Sequence, residues 1–529
     1  MSHRTLVVRF GSLGDVLLAS ATALNLKLAY PGSEVVFLTK ERFRVVAERF
    51  DGVDEVVTIP DSASAGELYA ALLKLDARNF EAVVDLHGNF RSWLTRKLVA
   101  ADAKVVYPKR RYERYKAIRE SVHPSNYPHT IDLYNDTLRQ LGRPAPCRRP
   151  QMRYSLPPSE IQSFMAGDRP VVVIAPGAAH PPKQWPIERF ARVAELLSVR
   201  HDARIVWAVT GADAPRVRLR QQVRSEDLFE MVNEPIELLA ATIGHATLTI
   251  ANDSGIAHLS SAVGTPVLAV FGPTHPVLGF APRGLRDGVI EVDEDCRPCS
   301  RHGARPCYRQ EQFCFTRISA ETVVDQAADI IHTSSAGNPA LFVDRDGTVI
   351  VDKDYLADPT QVELIEGSAE ALKAARRAGY KIVILSNQSG VARGYFDIEA
   401  VERVNARMLE LLMKKGVQVD GSYYCPHLPG APVSEYSREC LCRKPSPGMA
   451  EDAASTLGVD LRHSVVIGDK ESDMQLGRVF GGRSLLVRTG YGAGTEKKLL
   501  AAEESVRAFD DLKSAVGHLL AHVPAHPVS

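Results

Sequence analysis

Two carboxylates, Asp344 and Asp346, stand two residues apart where an apolar run ends. The run from Ala340 to Val343 predicts a buried strand, and the following Gly-Thr pair predicts that the chain turns away. At a strand end, one carboxylate can face a site while the bend brings in the second, which suits a nucleophile beside an acid/base. A solvated strand-to-loop turn is the alternative, and one Asp-x-Asp pattern does not exclude it.

Three later segments also carry polar residues at or near the ends of apolar runs. They are Ser386 and Asn387 in "KIVILSN", Arg443 and Lys444 in "CRKPSPGM", and Asp469 and Asp473 in "SVVIGDKESD". Phosphoryl transfer with Mg²⁺ needs carboxylates for the cation, a hydroxyl and a lysine for phosphate oxygens, and a nucleophile in line. The four segments together favour such a site over a solvated turn.

These four motifs, in this order, resemble those of the haloacid dehalogenase superfamily. The resemblance implies that Asp344 attacks phosphorus to form an aspartyl-phosphate, while Asp346 protonates the leaving alkoxide and then activates water. It further implies phosphate contacts from Ser386, Asn387 and Lys444, and a Mg²⁺ cofactor bound by Asp344, Asp469 and the backbone carbonyl of Asp346. For Asp473, metal contact stays open beside two alternatives, orienting Lys444 and capping the next helix.

Between the second and third motifs, three thiols and an imidazole form two close pairs, Cys425 with His427 and Cys440 with Cys442. These four side chains match the ligands of a tetrahedral structural Zn²⁺. With "DRDGT", "SNQSGVARG" and "GDKESDMQ", the predicted zinc loop resembles that of the heptose 1,7-bisphosphate phosphatases, over residues 340–492. Histidinol-phosphate phosphatases share this zinc-loop subclass and are the alternative.

Two arginines near these motifs are candidates for the second phosphate of such a bisphosphate. Arg393 and Arg443 carry guanidinium groups, whose forked donors match phosphate oxygens. Solvation at the surface is the alternative for both.

A second set of candidates lies nearer the N-terminus. "VVRFGSLGDVLLAS" predicts a strand-to-helix turn with Asp15 at the start of the helix, where it can cap the helix or act as a base. Lys183 lies on the Pro-rich loop "APGAAHPPKQWP". "ANDSGIAHLSSAVGTP" predicts another such junction, whose amides favour a diphosphate. It carries Asp253, Ser254, Gly255 and His258.

With "DLHGNFRS", these segments resemble the bacterial GT-B heptosyltransferases over about residues 1–330. The resemblance implies transfer of heptose from a nucleotide diphosphate sugar, of the ADP-heptose type, to a lipopolysaccharide acceptor. It implies that Asp15 is the general base, that the sugar carbon is inverted and that no metal is needed. It places Lys183, Asp253, Ser254, Gly255 and His258 near the nucleotide sugar, although a packed helix histidine is the alternative for His258.

Short β-branched runs alternate with amphipathic stretches in three series, a rhythm typical of parallel α/β sheets. The predicted fold class is α/β, with a GT-B fold of two Rossmann-like domains followed by a haloacid-dehalogenase-like Rossmannoid domain with a zinc loop. The predicted domains are residues 1–155, 165–335 and 340–525. Linkers are predicted at residues 143–169 and from Thr333 to Pro339. In parallel sheets ligands bind at the carboxyl ends of the strands.

Two further clusters keep two interpretations each. The run "PKRRYERYKAIRE" forms a solvated helix face, or it docks an anionic lipid-linked sugar acceptor and holds the protein at the inner membrane surface. Its cations are Arg110, Arg111, Arg114, Lys116 and Arg119. A second cluster is predicted to have a structural or redox role, with no metal named. It consists of Cys296, Cys299, Cys307 and Cys314.

Composition limits the class of protein. The 529 residues carry 64 Lys plus Arg and 64 Asp plus Glu, so no net field favours nucleic acid. Arg9 and Asp15 interrupt the first apolar stretch, and no uncharged run approaches the roughly 20 residues of a membrane span. The sequence therefore predicts a cytoplasmic protein without a signal peptide.

Together these patterns predict a bifunctional enzyme of envelope heptose metabolism, a heptosyltransferase joined to a heptose bisphosphate phosphatase. One alternative is a histidinol-phosphate or other small phosphomonoester phosphatase fused to a different sugar transferase. Another is that the transferase half acts only as a binding module.

Overall fold

The computed structural model describes residues 3–30, 32–76, 78–120, 127–335, 338–502 and 504–522. The chain divides into two compact units, residues 1–335 and 336–529. Its described strands form three sheets in which every pair is parallel, which confirms the predicted α/β class. Among the described helices, none combines the length and apolar character needed to cross a membrane.

The first sheet of the first unit has the order β3-β2-β1-β4-β5. Its strands are β1 (Arg4–Val8), β2 (Glu34–Lys40), β3 (Glu55–Ile59), β4 (Phe80–Asp85) and β5 (Ala101–Val106). The accompanying helices are α1 (Leu13–Ala29), α2 (Arg44–Ala47), α3 (Ala65–Asp76), α4 (Phe90–Leu98), α5 (Arg111–Glu120), α6 (Thr130–Gln140) and α7 (Ser159–Met165). The strand order reverses beside β1, so the turn that follows this strand opens into the crevice where such sheets bind ligands.

The second sheet of this unit has the order β11-β10-β9-β6-β7-β8. Its strands are β6 (Val171–Ala175), β7 (Arg204–Val209), β8 (Leu228–Val232), β9 (Leu248–Asn252), β10 (Val267–Val270) and β11 (Gly288–Ile290). Its helices are α8 (Ile187–His201), α9 (Ala214–Arg220), α10 (Ile236–Gly244), α11 (Gly255–Ala262), α12 (Phe313–Thr316) and α13 (Ala320–Ser335). Trp185 and Trp207 are buried in its core with the β-branched residues of β6 and β7.

The second unit contains one sheet, of order β14-β13-β12-β15-β16-β17. Its strands are β12 (Pro339–Val343), β13 (Lys381–Asn387), β14 (Gly421–Cys425), β15 (Asp460–Gly468), β16 (Arg483–Val487) and β17 (Ala508–Phe509). Its helices are α14 (Ser368–Arg377), α15 (Ser389–Ala392), α16 (Ile398–Lys414), α17 (Gly448–Leu457), α18 (Glu471–Phe480), α19 (Gly492–Ala501) and α20 (Leu512–His522). β12 is buried at the centre of the sheet, so its carboxyl end brings Asp344 to the middle of the site edge.

The structure refines the predicted linkers. α13 continues to Ser335 and β12 begins at Pro339, so most of the predicted linker from Thr333 to Pro339 belongs to these elements, while residues 336 and 337 lie outside the described residues. Residues 143–169 contain α7 and otherwise neither helix nor strand. The three domain boundaries stay a prediction.

Candidate active sites

The first site lies at the carboxyl ends of β12, β13 and β15. Asp344 follows β12, and its amide donates to the Ile467 carbonyl at 2.9 Å, which fixes it beside the end of β15. Gly347 then turns the chain with φ +82°, and a Cβ there would lie 2.3 Å from Asp469 Oδ2. Only glycine therefore lets the turn come this close to the neighbouring strand end.

Lys444 connects two of the predicted site carboxylates. Its Nζ lies 2.7 Å from Asp344 Oδ1 and 2.6 Å from Asp473 Oδ1, and it donates to the Leu385 carbonyl at 2.8 Å. Burial raises the pKa of Asp344, but Lys444 and Lys470 outweigh it and leave that pKa below its usual value. The predicted nucleophile is therefore ionised at neutral pH.

Asp469 completes a group of buried carboxylates. One oxygen each of Asp344, Asp469 and Asp473 lies within 4.8 Å of the others. Burial and the charge of Asp344 raise the pKa of Asp469 to about 8, and its Oδ1 is buried without a hydrogen-bond partner among the described residues. Lys470 Nζ lies 3.6 Å from Asp344 Oδ2 and 3.7 Å from Asp469 Oδ1. Such an electron-rich oxygen site fits a hard cation such as Mg²⁺.

Asp473 caps the following helix as well as contacting Lys444. Its Oδ2 accepts from the Lys470 amide at 3.1 Å, at the start of α18, and the side chain is fully buried. The two roles that the sequence left open beside metal contact, orienting Lys444 and capping, are thus both present in the geometry.

Asp346 is held by neighbours on two sides. Arg345 Nη2 donates to its Oδ2 at 2.9 Å, and Gln388 Nε2 donates to the same oxygen at 2.9 Å. Ser386 Oγ lies 3.5 Å from that oxygen. Arg345 also donates to Asn405 Oδ1 at 2.8 Å, which ties this carboxylate to α16.

The remaining predicted phosphate contacts divide into two groups. Ser386, Asn387, Lys444 and Arg443 line a cavity of about 360 Å³. Asn387 exchanges two hydrogen bonds of 3.0 Å with the backbone of Lys444, so it positions the loop that carries the lysine. Arg393 is exposed and does not line this cavity, although its guanidinium lies 6.0 Å from the ring centroid of Tyr355, which does.

The predicted zinc ligands also meet. The ligand atoms of Cys425, His427, Cys440 and Cys442 all lie within 4.8 Å of one another. Cys442 Sγ lies 3.2 Å from Cys425 Sγ, 3.3 Å from Cys440 Sγ and 3.3 Å from His427 Nδ1. Hydrogen bonding by Cys425, the largest cause, lowers the pKa of Cys442 to about 5. Three sulfurs and one imidazole nitrogen at this spacing fit a tetrahedral ion.

The second site lies in the first unit, around the turn between β1 and α1. Asp15 Oδ2 lies 2.7 Å from Arg9 Nη2 and accepts from Ser12 Oγ at 2.9 Å. Burial raises the pKa of Asp15, but Arg9 and Ser12 lower it further, so the net shift is downward. Tyr134 Oη lies 3.4 Å from the other carboxylate oxygen. Asp15 is therefore an ionised acceptor at the wall of a cavity of about 840 Å³.

The predicted nucleotide-sugar residues line the same cavity. Lys183 Nζ lies 2.6 Å from Asp253 Oδ2, which also accepts from Thr274 Oγ1 at 2.7 Å. Ser254 Oγ and His258 Nδ1 are buried without hydrogen-bond partners among the described residues. Gly255 follows Ser254 as the first residue of α11. Unpartnered polar atoms at a helix start suit an anionic ligand.

Burial determines the protonation state of His258. Burial, the largest cause, lowers the pKa of His258, despite the opposing charges of Asp253 and Asp15. The imidazole is thus neutral at neutral pH and can offer one donor and one acceptor to a ligand.

The basic run is only partly a solvated face. Arg114 on α5 is 2% exposed, and its guanidinium lies 4.9 Å from the Phe280 ring centroid. The interpretation of the run as a solvated helix face is therefore wrong for this residue. Tyr112 and Tyr115 on the same helix are exposed.

Comparison with known proteins decides the family of the second unit. The chain is 42% identical to the D-glycero-beta-D-manno-heptose-1,7-bisphosphate 7-phosphatase of Photorhabdus laumondii over 183 residues, which cover 34% of this chain and 96% of that protein. The enzyme of the same name from Vibrio cholerae is 44% identical over 164 residues, 31% of this chain and 88% of that protein. The chain belongs to this phosphatase family. A HAD-hydrolase-like family model also matches residues 441–515.

The first unit matches a different family. Residues 69–307 match the model of glycosyltransferase family 9 (heptosyltransferase). A solved glycosyl transferase family 9 protein from Veillonella parvula, 20% identical, superposes with a TM-score of 0.51 over 62% of this chain and 97% of its own. This likeness shows the fold alone. The protein thus joins a glycosyltransferase domain to a phosphatase domain and is an enzyme of both classes.

Several residues that line the phosphatase cavity were not predicted from the sequence. Its wall also includes Asp352, Asp354, Tyr355, Gln388, Lys470 and Tyr491. Lys470 and Gln388 directly adjoin predicted residues, and the "GDK" and "SNQ" motifs were a usable signal for them. Asp352, Asp354 and Tyr355 lie on a loop after β12, where no periodicity points to a site.

Some residues that line the glycosyltransferase cavity were not predicted from the sequence either. Arg301 and His302 come from a long loop, and Asp213, Asn233 and Glu234 come from turns after β7 and β8. The turn residues follow strand ends, so the position rule could have found them. The predicted cysteine cluster flanks Arg301 and His302, but no pattern in the sequence points to these two residues themselves.

Proposed function

We propose that this protein transfers heptose from a nucleotide diphosphate heptose to a lipopolysaccharide-type acceptor and, at a separate site, hydrolyses the C7 phosphate of heptose 1,7-bisphosphate. The single observation that supports the second activity most is the Lys444 ammonium, which lies 2.7 Å from Asp344 and 2.6 Å from Asp473, in a chain that is 42% identical to a 7-phosphatase over 183 residues. This arrangement supports an ionised nucleophile beside a fixed cation for the phosphoryl oxygens.

Two displacements account for the hydrolysis. Asp344 attacks phosphorus, the bond from phosphorus to the C7 oxygen breaks, and Asp346 protonates the departing alkoxide. Asp346 then takes a proton from water, whose oxygen attacks phosphorus and releases inorganic phosphate and free Asp344. Lys444 and Ser386 hold the phosphoryl oxygens throughout both displacements.

Mg²⁺ would be held by Asp344, Asp469 and the backbone carbonyl of Asp346, and when bound it would neutralise charge on the phosphoryl oxygens. The fit rests on the unpartnered Asp469 Oδ1 and on the clustering of the three buried carboxylates. The ammonium of Lys470 lies beside the same oxygens, so it must share or yield this position when the cation binds.

Arg443 is the stronger candidate for the second phosphate. It lines the phosphatase cavity, and its Nη1 donates to the His427 carbonyl at 3.1 Å, within the zinc loop. A structural Zn²⁺ on Cys425, His427, Cys440 and Cys442 would hold this loop, and therefore Arg443, against the cavity. Arg393, outside the cavity wall, would need its loop to move before it could touch substrate.

In the transferase domain, Asp15 takes the proton from the acceptor hydroxyl, whose oxygen attacks the sugar carbon from the face opposite the diphosphate. The bond to the diphosphate breaks and the carbon inverts. Lys183 and the amides at the start of α11 offset the charge on the departing diphosphate. Ser254 and His258, both with unpartnered buried atoms, complete its contacts.

The acceptor side would lie near α5. Arg301 lines the cavity. Burial, and next the charge of Arg114, lower the pKa of Arg301, which indicates that the two guanidinium groups lie close together. Cations brought together at this edge suit an anionic, lipid-linked acceptor at the inner membrane surface.

A phosphate-release panel on the purified protein tests the phosphatase proposal. We expect the fastest release from heptose 1,7-bisphosphate, with heptose 1-phosphate as product and Asp344→Asn inactive. Both anomers are compared. Faster release from histidinol phosphate would reject the heptose assignment.

A further inference from the structure

A long loop without helix or strand shapes the glycosyltransferase cavity. Residues 291–312 connect β11 to α12 and contain neither helix nor strand. Loops of this length inside compact domains are uncommon, and they are usually functional or disordered. The question is what fixes this one, because it carries Arg301 and His302 into the cavity.

The loop also sets the position of Lys183. A Cβ on Gly303 would lie 2.4 Å from Lys183 Cγ, so the loop backbone packs directly on the lysine stem. Gln312 Nε2 donates to the Pro182 carbonyl at 2.8 Å. Any device that fixes the loop therefore also fixes Lys183.

Four free cysteines converge at the base of this loop. They line one cavity of about 10 Å³ and are Cys296, Cys299, Cys307 and Cys314. A cavity of this size admits about one small sphere. The other lining residues are Pro273, Arg305, Arg309, Gln312 and Phe313. Within the part of the chain that the structure describes, no carboxylate lines this wall, and the thiols are the only groups there that can become anionic ligands.

We propose that these four cysteines bind one soft divalent cation, with Zn²⁺ as the reference ion, and that this site clamps the loop over the glycosyltransferase cavity. Thiolate ligands select Zn²⁺ or Fe²⁺ over Mg²⁺ or Ca²⁺. Binding releases four protons, one from each thiol, and leaves a site of net charge −2. Arg305 and Arg309 line the same cavity and supply two positive charges beside it.

The quartet is more open than the Cys/His set of the phosphatase domain. Among the described residues, the four ligand atoms of the Cys/His set all lie within 4.8 Å of one another, whereas no three sulfurs of the quartet lie this close together. The ion must therefore draw the four sulfurs inward, which closes the loop ends that approach from β11 and from α12. A metal ion that closes a long loop is expected to stabilise the folded state more than one that closes a short loop, because it removes more conformational entropy from the unfolded chain.

Elemental analysis of the intact, purified chain tests this site. We expect two equivalents of thiolate-bound metal per chain after expression with Zn²⁺ and removal of loosely bound ions. C296S/C299S loses one equivalent and C440S/C442S loses the other. Cys147→Ser, which changes a buried cysteine outside both sets, retains both equivalents.

A spectroscopic measurement covers the case in which a variant folds poorly. C440S/C442S loaded with Co²⁺ keeps the sulfur-to-cobalt absorption of a four-thiolate site, and retained sugar transfer reports an intact first unit. Iron found in place of zinc at the first quartet supports the same site. One equivalent in the wild type, unchanged in C296S/C299S, would overturn the proposal, as would a Cys296–Cys299 disulfide in the purified protein. The metal count is independent of either activity, so it can fail without the proposed function failing.

Discussion

Arg9 Nη2 lies 2.7 Å from Asp15 Oδ2, and both side chains are largely buried beside the cavity of the glycosyltransferase domain. The guanidinium keeps the pKa of Asp15 below its usual value although burial acts in the opposite direction. Asp15 thus stays ionised across the whole physiological range. A base of low pKa is weak but fully available, and it works best when the attacking hydroxyl is held against it.

Arg9→Met should reveal this balance in the pH profile of sugar transfer. The variant removes the largest lowering influence and leaves burial opposed mainly by the hydrogen bonds from Ser12, so the pKa of Asp15 rises and the base becomes protonated at a higher pH than in the wild type. Between pH 5 and 8 we expect protonation of Asp15 to have no effect on the rate of sugar transfer by the wild type. In the variant we expect this rate to decline towards the acidic end of the interval. Arg143→Met, which removes a buried arginine paired with Glu81, is the control and should not change the profile. Identical profiles for wild type and Arg9→Met would contradict the role of Asp15.

Asp473→Asn should slow phosphate release without abolishing it. The carboxylate holds Lys444 Nζ at 2.6 Å, and the variant keeps the shape while removing the charge that orients the lysine. We expect kcat to fall by roughly 10–100-fold, the usual effect of losing an outer partner. Glu471→Gln, on the same helix but outside the cavity wall, is the matched control. An unchanged kcat would show that Asp344 and the Leu385 carbonyl suffice to position the lysine.

Lys109 is the first cation of the basic run "PKRRYERYKAIRE", next to α5, where we propose that the acceptor lies. We therefore expect acceptor binding to weaken at alkaline pH, when this lysine loses its charge. Burial, and next the charges of Arg111 and Arg301, lower the pKa of Lys109 to about 8. The ammonium is therefore charged at pH 7 and mostly neutral at pH 9, so KM for an anionic acceptor should rise across this interval. Lys109→Arg should flatten the rise because arginine does not titrate there. A rise of equal size in both proteins would place the titration elsewhere.

Metal removal should separate the two proposed cations of the phosphatase domain. After chelation, excess Mg²⁺ alone should restore little phosphate release if the Cys/His loop has lost its ion. Arg443 donates a hydrogen bond to the His427 carbonyl of that loop, so its position depends on the loop. Mg²⁺ with stoichiometric Zn²⁺ should restore the full rate. Full recovery with Mg²⁺ alone from protein shown to be free of zinc would contradict a structural role for Zn²⁺.

The sequence predicted the residues at strand ends well because parallel strands bring their carboxyl ends to one edge. Asp344, Lys444 and Asp469 are far apart in sequence, yet Asp344 contacts Lys444 and lies within 4.8 Å of an oxygen of Asp469 at one edge of the sheet. The same rule brought Asp15 and Ser254 to a shared cavity. Their chemical roles stay predictions.

Loops and sheet edges were harder to predict for physical reasons. β8, β11, β14 and β17, which are all edge strands, were not predicted. β11 and β17 have only three and two residues, and β8 and β14 lack a β-branched run. Arg301 reaches its cavity through a loop whose path depends on long-range packing, which no local pattern encodes. Arg393 illustrates the converse, because a guanidinium close to a motif in sequence still lies outside the cavity wall.

The most direct measurement compares Asp15→Asn and Asp344→Asn in paired assays of sugar transfer and phosphate release. We expect Asp15→Asn to lose transfer and to keep phosphate release from heptose 1,7-bisphosphate at the wild-type rate, and we expect Asp344→Asn to show the reverse. Sugar transfer that persists in Asp15→Asn would contradict the role of Asp15 as the base. Sugar transfer that is absent from the wild type would reduce the N-terminal domain to a binding module.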